Sequence, residues 1–119
     1  MPVVGVDHVQ LAMPAGGEDR ARAFYRDVLG VPEKPKPNVA GRGGCWFENE
    51  LVKIHLGIDP SFRAATKAHP GLVVTGMDAI LERSRQLGLQ TMDGAPFAHY
   101  RRAFVIDPFG NRIELMERR

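Results

Sequence analysis

The chain has 119 residues, of which 44% are hydrophobic and 25% are charged, and its net charge is +2. This length and composition predict one globular domain with a hydrophobic core and exclude a disordered or fibrous protein. The small net charge, together with the lack of any Lys/Arg block, argues against a nucleic-acid-binding protein.

The first predicted elements are a strand and a helix. Apolar and β-branched residues alternate over residues 3–13, which predicts a strand with His8, Gln10 and Ala12 on one face. Acidic residues then begin a helix that ends at Gly30, a common position for glycine. The apolar side of this helix is predicted to contain Ala21, Phe24, Tyr25 and Val28.

A loop rich in Pro and Gly follows, and it predicts irregular chain with one short edge strand near residues 31–36. Two apolar runs, Cys45–Glu48 and Leu51–Ile58, predict a hairpin that turns at residues 49–50. On the second strand of this hairpin, period-two alternation places His55 opposite the apolar residues.

The second half repeats this order of elements. A helix is predicted through Gln86, with Ile80, Leu81 and Leu87 on its apolar side and Gly88 as its stop. Strands are predicted over residues 68–74, 89–93, 101–107 and 111–117, with a Pro- and Gly-containing turn before the last one. On the last strand Glu114 points away from Ile113 and Leu115.

The two halves also correspond residue by residue, at an offset of roughly sixty positions, as in an internal repeat. His8 corresponds to His69, and His55 corresponds to Glu114. The sequence therefore predicts one domain over residues 1–119, made of two strand–helix–strand–strand–strand modules. These modules span about residues 1–58 and 68–119, with a linker over 59–67.

Four of the matching positions carry side chains that can bind a metal. These are His8, His55, His69 and Glu114. A lone histidine in a strand is more often packed or at the surface, and a lone Glu near a C-terminus is usually solvated. Their equivalence in the repeat favours a joint metal or catalytic site. Two His and one Glu with open positions suit a divalent metal such as Fe, Mn, Zn, Ni or Co.

Other residues are candidates for binding a small-molecule substrate. Arg101 or Arg102 could hold an anionic group, since a guanidinium binds carboxylate or phosphate in a bidentate manner. Alternation allows only one of the two to point inward, and the alternative is that both are solvated. Tyr100 and Trp46 could form the wall of a pocket or belong to the core. Gln10 shares the face of His8.

The same sequence bears on the compartment. A single cysteine, Cys45, excludes an intramolecular disulfide and fits a reducing environment, and its apolar neighbours predict a buried, unreactive thiol. No signal-peptide pattern and no apolar run of about 20 residues is found. We therefore expect a soluble cytoplasmic protein that binds neither membrane nor nucleic acid.

Several motifs are those of a known family. They are DHVQLAM with His8, ARAFYRDVLG, IHLGI with His55, AHPGLVV with His69, and DPFGNRIELME with Glu114. On these motifs the chain resembles the vicinal oxygen chelate superfamily over nearly its whole length. That superfamily includes glyoxalase I, extradiol ring-cleavage dioxygenases, fosfomycin-resistance transferases and bleomycin-resistance proteins.

The resemblance implies a fold and a site. The fold would be α+β, with two βαβββ modules whose mixed sheets form a cup around one divalent metal. In members of this length a homodimer commonly builds each cup from modules of two chains. The metal ligands would be His8, His69 and Glu114, with His55 as fourth ligand, acid/base group or neighbour of the ligands. Glu114 and His55 are the catalytic candidates.

The chemistry implied is a metal-dependent reaction of a small substrate with vicinal oxygens, either by a glyoxalase-like lyase or isomerase or by a ring-cleavage dioxygenase. One alternative is a metal-free protein that sequesters a drug, as bleomycin-resistance proteins do. Another is a fosfomycin-resistance-like transferase. A further one is a degenerate member in which the four side chains bond to one another without a metal.

Overall fold

A computed structural model of the chain describes residues 2–37 and 43–119. The chain forms two compact units, Met1–Phe62 and Arg63–Arg119, here called the first and second modules. Each contains one four-stranded mixed sheet and a helical region, in the order strand–helix–strand–strand–strand. The predicted α+β class with two βαβββ modules is therefore confirmed. No helix of the described ranges is both long enough and apolar enough to cross a membrane.

The first module brings its first and last strands side by side. Its elements are β1 (Val9–Met13), α1 (Glu18–Ala21), a π-helical segment (Arg22–Arg26), β2 (Glu33–Lys34), β3 (Gly44–Glu48) and β4 (Lys53–Ile58). The strands lie in the order β1-β4-β3-β2, with β1 parallel to β4 and the other pairs antiparallel. His8, which directly precedes β1, therefore lies beside the strand that carries His55. Residues 38–42 of the predicted loop lie outside the described residues.

The second module repeats this topology. Its elements are β5 (Gly71–Val73), α2 (Met77–Gln86), β6 (Thr91–Phe97), β7 (Tyr100–Ile106) and β8 (Arg112–Arg118). The strand order is β5-β8-β7-β6, and again the first strand is parallel to the last. His69 precedes β5 by two residues, so it lies beside Glu114 on β8.

One face of each sheet is buried, as the alternation predicts. On β8, Ile113 and Leu115 are fully buried, whereas Glu114 between them is only partly so. In the first module the four predicted apolar positions of the helix are all buried, namely Ala21, Phe24, Tyr25 and Val28. Tyr25 stacks on Phe47 of β3 at 5.6 Å between ring centroids. Burying side chains of this size stabilises the fold by about 1.5–3 kcal/mol each.

The buried thiol of Cys45 is confirmed. Cys45 has no exposed surface, and burial raises the pKa of its thiol to about 11. Since the thiolate is the reactive form, this cysteine is a core residue rather than a nucleophile.

The first helical region differs from the regular helix that the sequence predicts. Only Glu18–Ala21 is α-helical, and Arg22–Arg26 forms a wider π-helical turn. Two backbone bonds show the widening, since Asp27 N donates to the Arg22 carbonyl and Leu29 N to the Phe24 carbonyl. The chain then turns at Gly30, which has a positive φ of 76° that glycine adopts without strain.

The first strand of each module is shorter than predicted. β1 begins at Val9 rather than at residue 3, and β5 begins at Gly71 rather than at residue 68. Pro70 has no N–H to donate to a ladder, although its carbonyl accepts a bond from Glu114 N at 3.0 Å. His8 and His69 therefore lie just outside the strands, one and two residues before β1 and β5.

The hairpin of the first module closes through a longer loop than the sequence predicts. Asn49 accepts bonds from Leu51 N and Val52 N through its side-chain oxygen, at 2.8 and 2.9 Å. This side chain closes a loop over residues 49–52 instead of a two-residue turn. The resulting register pairs Trp46 with His55.

The predicted position of Leu87 on the apolar side of the second helix is wrong. Leu87 is 46% exposed, whereas Ile80 and Leu81 are buried as predicted. The helix ends at Gln86, so Leu87 lies beyond its last turn, and the chain changes direction at Gly88, which has a φ of +80°.

Candidate functional site

His8 is held at one ring nitrogen by its neighbour in the sequence. The Nδ1 atom of His8 lies 2.9 Å from a carboxylate oxygen of Asp7. The same carboxylate accepts a bond from Lys53 Nζ at 3.2 Å, and these donors lower the pKa of Asp7. Because an ionised carboxylate only accepts, Nδ1 of His8 is the donor in this bond, so the lone pair of the neutral ring would lie on Nε2.

His55 is the most enclosed histidine of the four-residue set, with 5% of its surface exposed. Its ring stacks on Trp46 at 4.0 Å between centroids and 3° between planes. The other face stacks on His8 at 4.4 Å and 20°. At its edge, Nε2 lies 2.6 Å from a carboxylate oxygen of Glu48. The ring is thus fixed from both faces and from one edge.

A cavity of about 280 Å³ lies in the first module next to these rings. It is lined by Gln10, Lys36, Pro37, Gly43, Trp46, Leu56, Gly57 and Ile58. Gln10 pairs with His55 in the β1–β4 register and reaches over Gly57, where a Cβ atom would lie 2.5 Å from the Gln10 amide nitrogen. The sequence-predicted candidates Gln10 and Trp46 therefore line one cavity beside His55.

His69 and Glu114 form the corresponding pair of the second module. His69 Nδ1 lies 2.7 Å from the carbonyl oxygen of Lys67, and Nε2 lies 2.9 Å from Glu114 Oε1. The edge of the His69 ring contacts Phe104 at 5.8 Å between centroids. Both ring nitrogens of His69 thus face oxygen atoms that have lone pairs and no hydrogen to donate. Each nitrogen must therefore carry a hydrogen, unless a cation takes the place of the hydrogen at Nε2.

Glu114 is also bound by Arg102, which donates from Nε to the second carboxylate oxygen at 2.7 Å. Arg102 in turn donates to the Ala95 carbonyl at 3.0 Å, which fixes its guanidinium. The bond from Arg102, followed by that from His69, lowers the pKa of Glu114 against the opposing effect of burial. Glu114 is therefore an ionised carboxylate with one oxygen against His69 and the other against Arg102.

The neighbouring arginine lies on the other face of β7. Arg101 forms an ion pair with Asp78 at the start of α2, at 2.8 Å, and a longer contact with Glu117. Of the two predicted anion-binding arginines, only Arg102 reaches Glu114. Tyr100 shares the face of Arg102 by alternation, and its ring lies 5.7 Å from the Arg118 guanidinium.

The structure thus brings the four metal-capable residues together as two pairs, one in each module. Within residues 2–37 and 43–119, no group of three or more His, Cys, Asp or Glu side chains is placed to hold a metal ion. The chemistry of the donors still fits a divalent metal. His69 Nε2 and Glu114 Oε1 are a nitrogen and an oxygen donor 2.9 Å apart, and both are ligand types that divalent transition metals accept.

The chain is similar to a glyoxalase family protein from Bacillus anthracis. Its structure is 42% identical in sequence, with a TM-score of 0.87, over 98% of this chain and 97% of that one. The chain belongs to the glyoxalase family. The predicted resemblance to the vicinal oxygen chelate superfamily is confirmed as well, since glyoxalase family proteins and FosX are members of it.

Two more distant structures share the fold alone. A mutant of FosX, a fosfomycin resistance protein from Listeria monocytogenes, was solved with Mn(II) and 1S,2S-dihydroxypropylphosphonic acid. It is 17% identical with a TM-score of 0.78, over 98% of this chain and 94% of that one. A glyoxalase family protein from Enterococcus faecalis is 19% identical with a TM-score of 0.69, over 98% of this chain and 100% of that one. No protein-family model and no curated protein matches the chain.

Three groups around the candidate site were not found from the sequence. They are the carboxylates of Asp7 and Glu48 and the carbonyl of Lys67, each bonded to a ring nitrogen of a histidine. Asp7 adjoins His8 and could have been suspected from that position alone. Glu48 could be found only with the correct hairpin register, in which it pairs with Lys53 and lies diagonal to His55.

Proposed function

We propose that this glyoxalase-family protein is a metal-dependent lyase or isomerase that acts on a small substrate with two adjacent oxygen atoms. Its metal ligands would be His8, His69 and Glu114, and His55 would serve as an acid/base group. The FosX structure supports the substrate class, because the compound bound there with Mn(II) carries hydroxyls on adjacent carbons.

One observation carries the proposal, and it occurs independently in both modules. At His8 and at His69 the Nδ1 atom lies against an oxygen acceptor, at 2.9 and 2.7 Å. Histidines that bind metals almost always donate the other ring N–H to a carboxylate or carbonyl, which orients the ring and raises its basicity. A histidine kept only for packing has no reason to repeat this arrangement at the equivalent place in two modules.

The chain's residues would divide the work as follows. When bound, a divalent metal would act as a Lewis acid on the substrate oxygens. Glu114, oriented by Arg102, would supply the negative ligand, and His55 would accept or return a proton. Gln10 and Trp46 would contact the substrate in the cavity beside His55. Arg102 and Tyr100 are the candidates for substrate contact in the second module.

We further propose that the protein acts as a homodimer. Each module supplies one pair of donors, so a complete ligand set needs the first module's His8 and the second module's His69 and Glu114. Mixing a His8→Ala chain with a His69→Ala chain tests which chains contribute. Metal binding that returns in the mixed dimer indicates ligands from two chains, and binding that stays lost indicates ligands from one.

Metal binding to the purified protein tests the function. After treatment with EDTA, the protein is titrated calorimetrically with Mn²⁺, Fe²⁺, Co²⁺, Ni²⁺ and Zn²⁺, alongside the variants His8→Ala, His69→Ala and Glu114→Gln. His99→Ala is the matched control, because the backbone carbonyl of His99 makes its contact, with Arg119 N at 2.8 Å. We expect saturable binding that the control retains and the three variants lose.

Proton transfer is tested separately, by following exchange of substrate hydrogen for deuterium in D₂O with a panel of vicinal-oxygen compounds. Exchange should require the metal. If the protein binds no divalent metal, or binds it equally well without these three side chains, the proposal is wrong. Tight ligand binding without turnover and without effect of EDTA would instead indicate a drug-binding protein.

A further inference from the structure

We propose that Glu48 is the positioning residue of His55: it holds the ring hydrogen on Nε2 and leaves Nδ1 as the atom that accepts a proton. The proposal rests on the proposed function for the reaction that uses this proton, but the placement of the hydrogen does not depend on a metal. It assigns a role to a carboxylate outside the predicted site residues.

The register of the hairpin creates the contact. Glu48 pairs with Lys53, and Trp46 pairs with His55, so alternation puts Glu48, Trp46 and His55 on one face of the β3–β4 ladder. The Glu48 carboxylate lies 2.6 Å from His55 Nε2, at the short end of the range for a charge-assisted bond. Glu48 itself is largely buried, with 21% of its side chain exposed, which protects the bond from competing water.

The rings on either side prevent His55 from turning to another arrangement. Trp46 covers one face at 4.0 Å and His8 covers the other at 4.4 Å. A 180° turn about the Cβ–Cγ bond would put Cε1 in the place of Nε2. It would have to swing the ring through both neighbouring rings, and it would break the bond to Glu48. His55 Nδ1 has no hydrogen-bond partner among the described residues, so it is the ring nitrogen left for chemistry.

The stacking also separates His55 from the metal ligands. Two nitrogens bound to one ion approach it from directions that differ by about 90–110°. The rings of His8 and His55 are only 20° from parallel and lie face to face, so they do not converge on one point. Of the three roles that the sequence leaves open for His55, this geometry favours the acid/base group over the fourth ligand.

The histidine would then act as follows. A proton leaves the substrate for the Nδ1 lone pair of neutral His55, and the electron pair stays on the substrate. The ring becomes an imidazolium whose Nε2–H remains bonded to the Glu48 carboxylate, and that negative charge stabilises it. Returning the same proton to the substrate at another atom completes an isomerisation, with no oxidant or further reactant.

The test is the tautomer of His55, read by two-bond ¹H–¹⁵N correlation spectroscopy on metal-free protein at a pH where the spectrum itself shows a neutral ring. His55→Gln identifies the signal. We expect hydrogen on Nε2 in the wild type and in Glu48→Gln, whose amide oxygen can still accept. Glu48→Leu should give a mixture of tautomers. Glu50→Gln, a nearby exposed glutamate, is the matched control and should not change the signal.

A second readout separates this proposal from the proposed function. Glu48→Leu should leave the metal dissociation constant within about 3-fold of wild type. Metal-dependent deuterium exchange should fall, but by less than the roughly 10²–10⁴-fold expected when His55→Gln removes the whole acid/base group. Hydrogen on Nδ1 in the wild type, or an unchanged tautomer in a folded Glu48→Leu protein, would overturn the assignment. If the protein binds no metal, the proposed function is wrong, but the assignment of the tautomer still holds.

Discussion

The two modules share one topology, but the pairs of residues at their equivalent positions differ in chemistry. In the first, two histidines face each other as a stacked pair, whereas in the second a histidine and a glutamate are joined by a hydrogen bond of 2.9 Å. The first histidine of each pair is held in the same manner, through Nδ1. The second position differs, with His55 bound by Glu48 and Glu114 bound by Arg102.

This difference shows how two copies of one module can take on different roles, metal binding and proton transfer under the proposed function. A carboxylate can bind a metal with one oxygen while Arg102 holds the other. His55 has its Nε2 bonded to Glu48 and both ring faces covered by other rings. Nδ1 is then the ring nitrogen left to exchange a proton, and its direction is fixed. Under the proposed function, the second module would supply metal ligands, and His55 on the last strand of the first module would transfer the proton.

The largest effect on metal binding should come from removing the carboxylate of Glu114. We expect Glu114→Gln to weaken metal binding by more than about 100-fold, because a ligand contributes at least as much as the residues that orient it. His55→Ala should weaken binding by less than about 10-fold if it is no ligand. Calorimetric titration with Mn²⁺ or Ni²⁺ measures both. Equal losses in the two variants would mean that the modules contribute alike.

The two adjacent arginines of β7 sharpen the comparison within the second module. Arg102→Met should raise the pKa of Glu114 towards an ordinary value near 4.3, as measured by ¹³C NMR of its carboxyl group. A folded-state pKa below the unfolded one stabilises the protein above that unfolded value, and the contribution is lost as the pH falls through the folded pKa. The stability lost in Arg102→Met should therefore be evident at pH 7 and shrink in acid.

Arg101→Met is the control, because Arg101 pairs with Asp78 on the opposite face. It should leave the pKa of Glu114 unchanged. If both substitutions move that pKa equally, the effect is one of overall charge and not of the bond between Arg102 and Glu114.

An intermediate effect should follow from uncovering His55. Trp46→Leu removes the ring that stacks on it at 4.0 Å and should destabilise the protein by about 0.5–1.5 kcal/mol beyond the change in buried area. Urea unfolding measures this. Trp46→Phe, which keeps an aromatic face, should recover part of the loss, and an equal loss in both variants would argue against stacking as the cause.

The smallest effect should come from the acceptors at Nδ1. Asp7→Asn weakens the acceptor of His8 but keeps an oxygen there, so it should reduce metal affinity by about 10-fold, the lower end of the usual range for such partners. The corresponding acceptor in the second module is the backbone carbonyl of Lys67, which Lys67→Ala retains. That variant should bind metal as the wild type does. A loss from Lys67→Ala equal to that from Asp7→Asn would show that side-chain charge, and not the acceptor, matters.

Much of the fold could be predicted because alternation and punctuation are local signals. Ile113 and Leu115 are buried and Glu114 is not, as period two requires, and Gly30 and Gly88 both adopt the positive φ that follows a helix. The errors lie in helix geometry and at a helix end. The turn at Arg22–Arg26 is wider than that of an α-helix, and the second helix ends at Gln86, which leaves Leu87 exposed.

The sequence alone determined the repeat and, through it, the four side chains that the structure places in pairs. It could not determine what holds them. The contact between Glu48 and His55 depends on a loop closed by the Asn49 side chain, which shifts the hairpin register by two residues from that of a two-residue turn. Which of Arg101 and Arg102 faces Glu114 likewise depends on how β7 pairs with its neighbouring strand. The sequence specifies which residues are present. Hydrogen bonds across strands depend on the register between those strands, and only the folded structure fixes that register.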